Sequence, residues 1–294
     1  MTDSSPAHVP VMLDEVVRWL DPQDRMVLVD GTTGGGGHTR ALADRLGPSG
    51  VLIALDRDPA AITAAEQNLS GTPVKLVHAN YCNLPEVLEQ LEIAAVDGVL
   101  LDLGLSSDQL ADERRGFSFS AEGPLDLRFD PTAGEPARRL VNRLSAENLA
   151  DLIYQYGEER HSRRIARAIV KRRREKPIET AAELAELIRR CTPSSRGPRR
   201  VDPATRTFQA LRIAVNDELK SLETALRRIP GCLRPQGRMA VISFHSLEDR
   251  LVKEAFRDDP RMQALTPKPV RAGEAEVAEN PRSRSAKLRV AART

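Results

Sequence analysis

The sequence predicts an α/β fold: a mainly parallel sheet with helices on both faces, interrupted by an all-helical insertion. Three observations carry this. Short, almost wholly apolar segments alternate with helix-like stretches through the first third of the chain, the pattern of strands buried on both faces. From Ser145 to Cys191 the periodicity is helical with no strand between. An apolar strand then returns after Gly237.

The expected strands are Val27 to Asp30, Val51 to Asp56, Val74 to His78 and Val96 to Leu103. Helices are expected at Thr39 to Leu46, from Asp58-Pro59, where Asp caps and Pro opens the first turn, and at Leu84 to Leu91. Residues 104–144 mix Gly, Pro, Asp and Ser and read as loop. Helices follow at 145–156, 162–176 and 180–191, the last opened by the capping-box pair Thr180 and Glu183. One long helix is expected from Thr205 to Ile229, a strand from Arg238 to Phe244, a helix from Glu248 to Phe256 and an edge strand from Lys287 to Ala291. Residues 266–286, rich in Pro, Glu and Arg, read as a surface loop. The sheet domain is therefore discontinuous, 1–110 and 201–294, and the helical insertion spans 111–200.

Composition narrows the function. Among 294 residues, 40% are hydrophobic and 29% charged, enough for one large domain and a smaller one. Cys82, Cys191 and Cys232 are odd in number and far apart, which speaks against a disulfide framework or a zinc ribbon; no metal site is expected. No apolar run approaches the ~20 residues that span a bilayer. The polar start, Met1 to Ala7, leads into no signal-peptide core, so a cytoplasmic location is expected. The net charge of +2 is low for a protein that grips nucleic acid by phosphates alone, yet Arg and Lys crowd residues 160–176 and 189–206.

The sharpest motif is Asp30-Gly31-Thr32-Thr33-Gly34-Gly35-Gly36-Gly37-His38, at the end of the first strand. Glycines let a ligand approach the main chain, and the helix start behind them offers free N–H groups. A nicotinamide fingerprint lacks its third Gly here, and a P-loop lacks its Lys. The acidic-x-G-x-G-x-G turn of S-adenosylmethionine enzymes fits better, with Thr32 in the first Gly place. Asp56, ending the second strand, suits the ribose hydroxyls. The fourth strand and its end read Asp97 to Ser107, with Asp102 among them; enzymes that methylate exocyclic amines hold the acceptor nitrogen at this strand end. A carboxylate there offsets the charge that develops on the amine, with a bare attraction of about 4 kcal/mol at ~4 Å and an effective dielectric near 20.

The chain resembles the bacterial 16S ribosomal RNA (cytosine-N4)-methyltransferase family, RsmH or MraW. The resemblance runs through His8 to Met12, Asp30 to His38, Ala54 to Pro59, Asp97 to Leu110, Arg115 to Phe119, Gly123 to Asp126, Tyr156 to Arg160, Pro203 to Arg212, Ile242 to Arg250 and Asn280 to Ser285. It implies a Rossmann-like S-adenosylmethionine-dependent methyltransferase sheet, S-adenosyl-L-methionine as cofactor, and methylation of a cytidine N4 in the decoding centre of 16S rRNA in the small ribosomal subunit. The implied cofactor contacts are Gly36, Gly37, His38, Asp56, Tyr81, Asp102 and Gln109. Asp102 serves either cofactor or acceptor. The family usually has His where this chain has Asp202, and often Pro where it has Asp108.

RNA recognition is expected of the insertion. Arg163, Arg167, Lys171 and Arg174 share one helix face; the alternative is a solvated face paired with nearby Glu. Phe117, Phe119 and Phe244 are candidates to stack a flipped base, against an ordinary place in the core. His245, after the fifth strand, is a candidate to contact RNA or shuttle a proton, or else structural. His8 and its neighbours are expected to fold over the acceptor pocket. Competing functions are a methyltransferase of another nucleic acid such as DNA, or of a small molecule, a nicotinamide oxidoreductase and a non-catalytic RNA-binding ribosome assembly factor. The DNA-type Pro-Pro-aromatic is absent after the fourth strand, as is the zinc signature of cytosine deaminases.

Overall fold

The computed structural model describes residues 10–119, 123–192 and 202–294; His8 and part of the basic run at 189–206 lie outside them. The chain forms two compact units, Met1–Ser106 with Leu219–Thr294, and Ser107–Glu218.

In the first unit a helix, α1 (Leu13–Leu20), precedes β1 (Val27–Asp30), α2 (Gly37–Leu46), β2 (Val51–Asp56), α3 (Pro59–Asn68), β3 (Val74–His78), α4 (Leu84–Gln90) and β4 (Val96–Asp102). After the second unit come α11 (Glu218–Arg228), β5 (Leu233–Ser243), α12 (Ser246–Asp258), β6 (Met262–Ala264), α13 (Glu274–Glu279) and β7 (Lys287–Arg293). The sheet order among the described residues is β3-β2-β1-β4-β5-β7-β6. β1 to β5 pair in parallel and β7 runs antiparallel to both its neighbours.

Strand side chains alternate between faces, so each strand feeds two cores. Val29, Ile53, Leu101 and Val241 pack with Leu84, Leu88, Leu226 and Val252. Leu28, Leu52, Leu100 and Ile242 pack on the other side with Val16, Leu20, Leu42 and Leu46. That double burial is why the strands read as unbroken apolar runs.

The second unit holds α5 (Ser107–Ala111), α6 (Ala137–Arg143), α7 (Ala146–Gly157), α8 (Ser162–Glu175), α9 (Ala181–Cys191) and α10 (Thr205–Asn216). Thr180 and Glu183 form the expected capping box. Gly157 lets α7 approach α10: a Cβ there would lie 2.4 Å from the Arg206 carbonyl oxygen.

Four expectations are corrected. Residues 104–144 contain α5 and α6, and between them the buried Arg115 donates to the carbonyls of Arg128 and Phe129. The helix expected over 205–229 breaks at Asp217, which is left-handed at φ 48°, while the buried Asn216 side chain bonds Phe129 N and Leu127 O. β7 is not an edge strand, because β6 covers it. The stretch 266–286 contains α13, whose Glu276 accepts the Met12 N–H at 2.7 Å. The amphipathic α1, buried through Val16 and Leu20, was not expected at all.

Leu100→Ala, at a fully buried position, is expected to lower unfolding free energy by about 2–5 kcal/mol. Leu110→Ala, 41% exposed, should stay within about 0.5 kcal/mol of the parent; urea unfolding followed by circular dichroism measures both.

Candidate active site

The topology reverses between β1 and β4: the chain builds outward to β2 and β3 on one side and to β5 on the other. Such a switch point leaves a crevice at the carboxyl ends of its two strands. Here those ends are Asp30 and Asp102.

Asp30 is fully buried. One carboxylate oxygen accepts from Thr32 N at 3.1 Å, the other from Thr39 Oγ1 at 2.7 Å. Thr32 Oγ1 in turn accepts from Asp102 N at 2.7 Å, and Gly31 N donates to Leu100 O at 2.9 Å. The glycine bend is thereby fastened to both strands. Its far side is held by β2: Thr33 N donates to Leu55 O at 2.9 Å, and Gly34 N to Asp56 Oδ2 at 2.9 Å. Asp56 Oδ1 takes the Asp58 N–H at 2.8 Å. Gly36, at φ 85°, turns the chain into α2. Gly31 is needed for space rather than for φ, since a Cβ would lie 2.5 Å from Leu101 Cδ2.

Three carboxylates thus surround the bend. Burial raises Asp30 above the usual carboxylate range, opposed by the charge of His38 and the bonds from Thr39 and Thr32. Burial pushes Asp56 up to about 6, with the charges of Asp58 and Asp30 adding to it. Asp102 is likewise pushed up to about 6 by burial, with Asp30 and Glu248 adding and His38 and Arg282 opposing. No Lys stands in the bend, and acids in this number repel a phosphate. They suit a ligand that carries positive charge and hydroxyl donors, and S-adenosylmethionine, a sulfonium with a ribose and no phosphate, fits that donor set.

Gly36, Gly37 and His38 lie at the start of α2, Asp56 ends β2, and Tyr81 opens the short 3₁₀ turn after β3. Tyr81 also borders Gly31, its Cβ 3.0 Å from a Cβ built there. His38 lies beside Asp102, with Nδ1 3.6 Å from Oδ2. Gln109 belongs to the second unit, buried on α5. Through Nδ1, His245 caps α12 in a capping box with Glu248; its buried Nε2 lies 3.1 Å from Glu248 Oε1 but makes no hydrogen bond among the described residues. Phe117 stacks on Phe129, and Phe119 packs edge-on against Phe208, so both have places among side chains of the second unit. Phe244 lies against Gly104. Asp202 pairs with Arg189 at 2.7 Å and accepts from Ala204 N. Sequence reasoning missed Thr32, Thr39 and the Val11 carbonyl, which His38 Nε2 meets at 2.9 Å. It also missed Arg282, bonded to Leu105 O. Thr32 had a signal, its place in the motif beside Asp30; Thr39 follows that motif directly. Arg282 had only its place in the Asn280 to Ser285 stretch.

Because the native-state pKa of Asp102 is raised from 3.8 to about 6, its contribution to stability is full below pH ~4 and lost as pH rises through ~6. Asp102→Asn should therefore gain about 1–3 kcal/mol at pH ~7.5 and nothing near pH ~3.5, by urea unfolding at the two pH values.

Comparison with known proteins gives the family. Residues 5–294 match the MraW methylase family. A protein of Rhodopirellula baltica named ribosomal RNA small subunit methyltransferase H is 52% identical, over 97% of this chain and 91% of its own. Proteins of the same name from Thermomicrobium roseum and Syntrophotalea carbinolica are 48% and 49% identical, over 98% and 96% of this chain and 94% and 96% of theirs. The chain belongs to the MraW methylase family, methyltransferases that take their methyl group from S-adenosylmethionine.

Proposed function

We propose that this protein methylates N4 of a cytidine in the decoding centre of 16S rRNA, acting in the cytoplasm on the small ribosomal subunit. One observation carries the reading. Asp102 Oδ1 is buried and has no hydrogen-bond partner among the described residues. A buried oxygen left unpaired is costly, and here it stands at the carboxyl end of β4, ready to accept an N–H. The exocyclic amine of cytosine is a weak nucleophile, its lone pair delocalised into the ring. A carboxylate on its N–H draws the nitrogen toward tetrahedral geometry and offsets the charge it acquires. The relatives' shared name supports ribosomal RNA of the small subunit as the substrate.

S-adenosylmethionine supplies an electrophilic methyl group on a sulfonium. Gly36 and Gly37 would present main chain to it, Asp56 would take ribose hydroxyls, the Tyr81 ring would meet its adenine, and His38, Asp102 and Gln109 would complete its contacts. We infer an assembled subunit as substrate, as the family resemblance implies.

We assign RNA recognition to the helical insertion, 111–200, and first to α8. Arg163, Arg167, Lys171 and Arg174 are exposed along it, and none forms an ion pair among the described residues. Arg173 is excluded, because its Nη1 donates to Val141 O at 2.7 Å.

Mass spectrometry of nuclease-digested 16S rRNA should show one cytidine methyl missing from cells that lack the protein. Asp102→Ala should not restore it, and full restoration would remove Asp102 from the reaction. Changing Arg163, Arg167 and Lys171 to Ala should weaken binding to small subunits and flatten the dependence of log K on log salt by ~0.7–0.9 per lost phosphate contact, as read by filter binding across a salt series.

A further inference from the structure

The His38 ring is caught between two oxygens. Its Nε2 lies 2.9 Å from Val11 O. A carbonyl oxygen only accepts, so Nε2 carries the hydrogen, and in the neutral ring Nδ1 is bare. That bare nitrogen faces Asp102 Oδ2 at 3.6 Å. With Asp102 ionised and His38 neutral, two lone-pair acceptors face one another across a gap shielded from water, His38 being 5% exposed. One proton placed in the gap turns that repulsion into attraction, and a small closure from 3.6 Å makes it a hydrogen bond. The other Asp102 oxygen has no hydrogen-bond partner among the described residues.

We propose that His38 and Asp102 form a dyad that binds a single proton between Nδ1 and the carboxylate, and that this dyad takes up the proton released by the acceptor amine. The second half rests on the reading of Asp102 as the group that meets the amine. Methylation of a neutral amine by a methylsulfonium forms one N–C bond as one S–C bond breaks. The amine then holds one proton in excess, and that proton passes to Asp102 Oδ1. Rotation of the carboxyl group brings the O–H to Nδ1, where the ring lone pair receives it. Asp102 touches the amine; His38 is a positioning residue that acts through it.

The other charged groups around Asp102 sort by sign. Asp30 at the end of β1 and Glu248 on α12 favour an added proton, and Arg282 from the turn before β7 opposes it. Asp30 keeps its own two hydrogen bonds to Thr32 and Thr39 and so leaves the gap to His38.

Nitrogen-15 and carbon-13 NMR of the ligand-free protein tests the dyad without any methyl transfer. At pH ~8 the His38 ring should show a protonated Nε2 and a bare Nδ1. On acidification the Nδ1 signal and the Asp102 carboxyl signal should move together in one step that binds one proton. A hydrogen on Nδ1 with Nε2 bare, or two separate steps, overturns the dyad whatever the activity. The second half is read from single-turnover methyl transfer to small subunits across pH. His38→Asn puts a permanent N–H donor beside Oδ2, and the acid limb of the rate profile should move down by about one pH unit, a tenfold gain in relative rate on that limb. An unmoved limb, with joint titration intact, overturns proton uptake by the dyad. Loss of the cytidine reading would show separately, as transfer by the wild type to a different nucleotide.

Discussion

The structure depends on one buried carboxylate. Asp30 ends β1 with no access to solvent, in surroundings that disfavour its charge. It is tolerated because its oxygens are occupied by Thr32 N and Thr39 Oγ1. Through Thr32 the same contact reaches Asp102 on β4, and through Thr39 it reaches α2. Strand, bend, helix and neighbouring strand are thus locked about a single acid. Removing it would leave those two donors unpaired, at about 1–3 kcal/mol each.

This lock explains why an acid-rich bend exists at all. Asp30, Asp56 and Asp102 each lose solvation, and two of them are pushed to about 6. Groups held in that state lower stability at neutral pH, which is the usual signature of a site kept for chemistry. The glycines contribute in different ways. Gly36 permits a left-handed turn, and Gly31 leaves room for Leu101 and Tyr81. The absence of a cation in the bend then separates this site from phosphate-binding loops built on similar glycine patterns.

Most of the sheet was legible in the sequence, since strands buried on both faces leave unmixed apolar runs, as at Val51 to Asp56. The glycine motif and Asp56 were legible for the same local reason: a ligand bend needs glycine, and a strand end needs its acid. What escaped was tertiary. α13 and the chain around it are fixed by Glu276 reaching Met12, a contact between opposite ends of the sequence. The break at Asp217 follows from Asn216 turning inward to hold Leu127 and Phe129, where local periodicity favoured a continuous helix. For His245, a candidate beside a strand end, the cap made by Nδ1 was a further tertiary detail that residue type did not show. His38 was named only as a cofactor contact; its pairing with Asp102 rests on the Val11 carbonyl, which no residue pattern reveals.

The central claim is that the bend between β1 and β4 accepts a sulfonium nucleoside and rejects a dinucleotide. Isothermal calorimetry on the purified chain tests it directly. The account predicts one equivalent of S-adenosylmethionine bound per chain, weakening as pH falls below ~6 while Asp56 and Asp102 take up protons, and no heat from NADH. Binding of NADH with none of S-adenosylmethionine would contradict it.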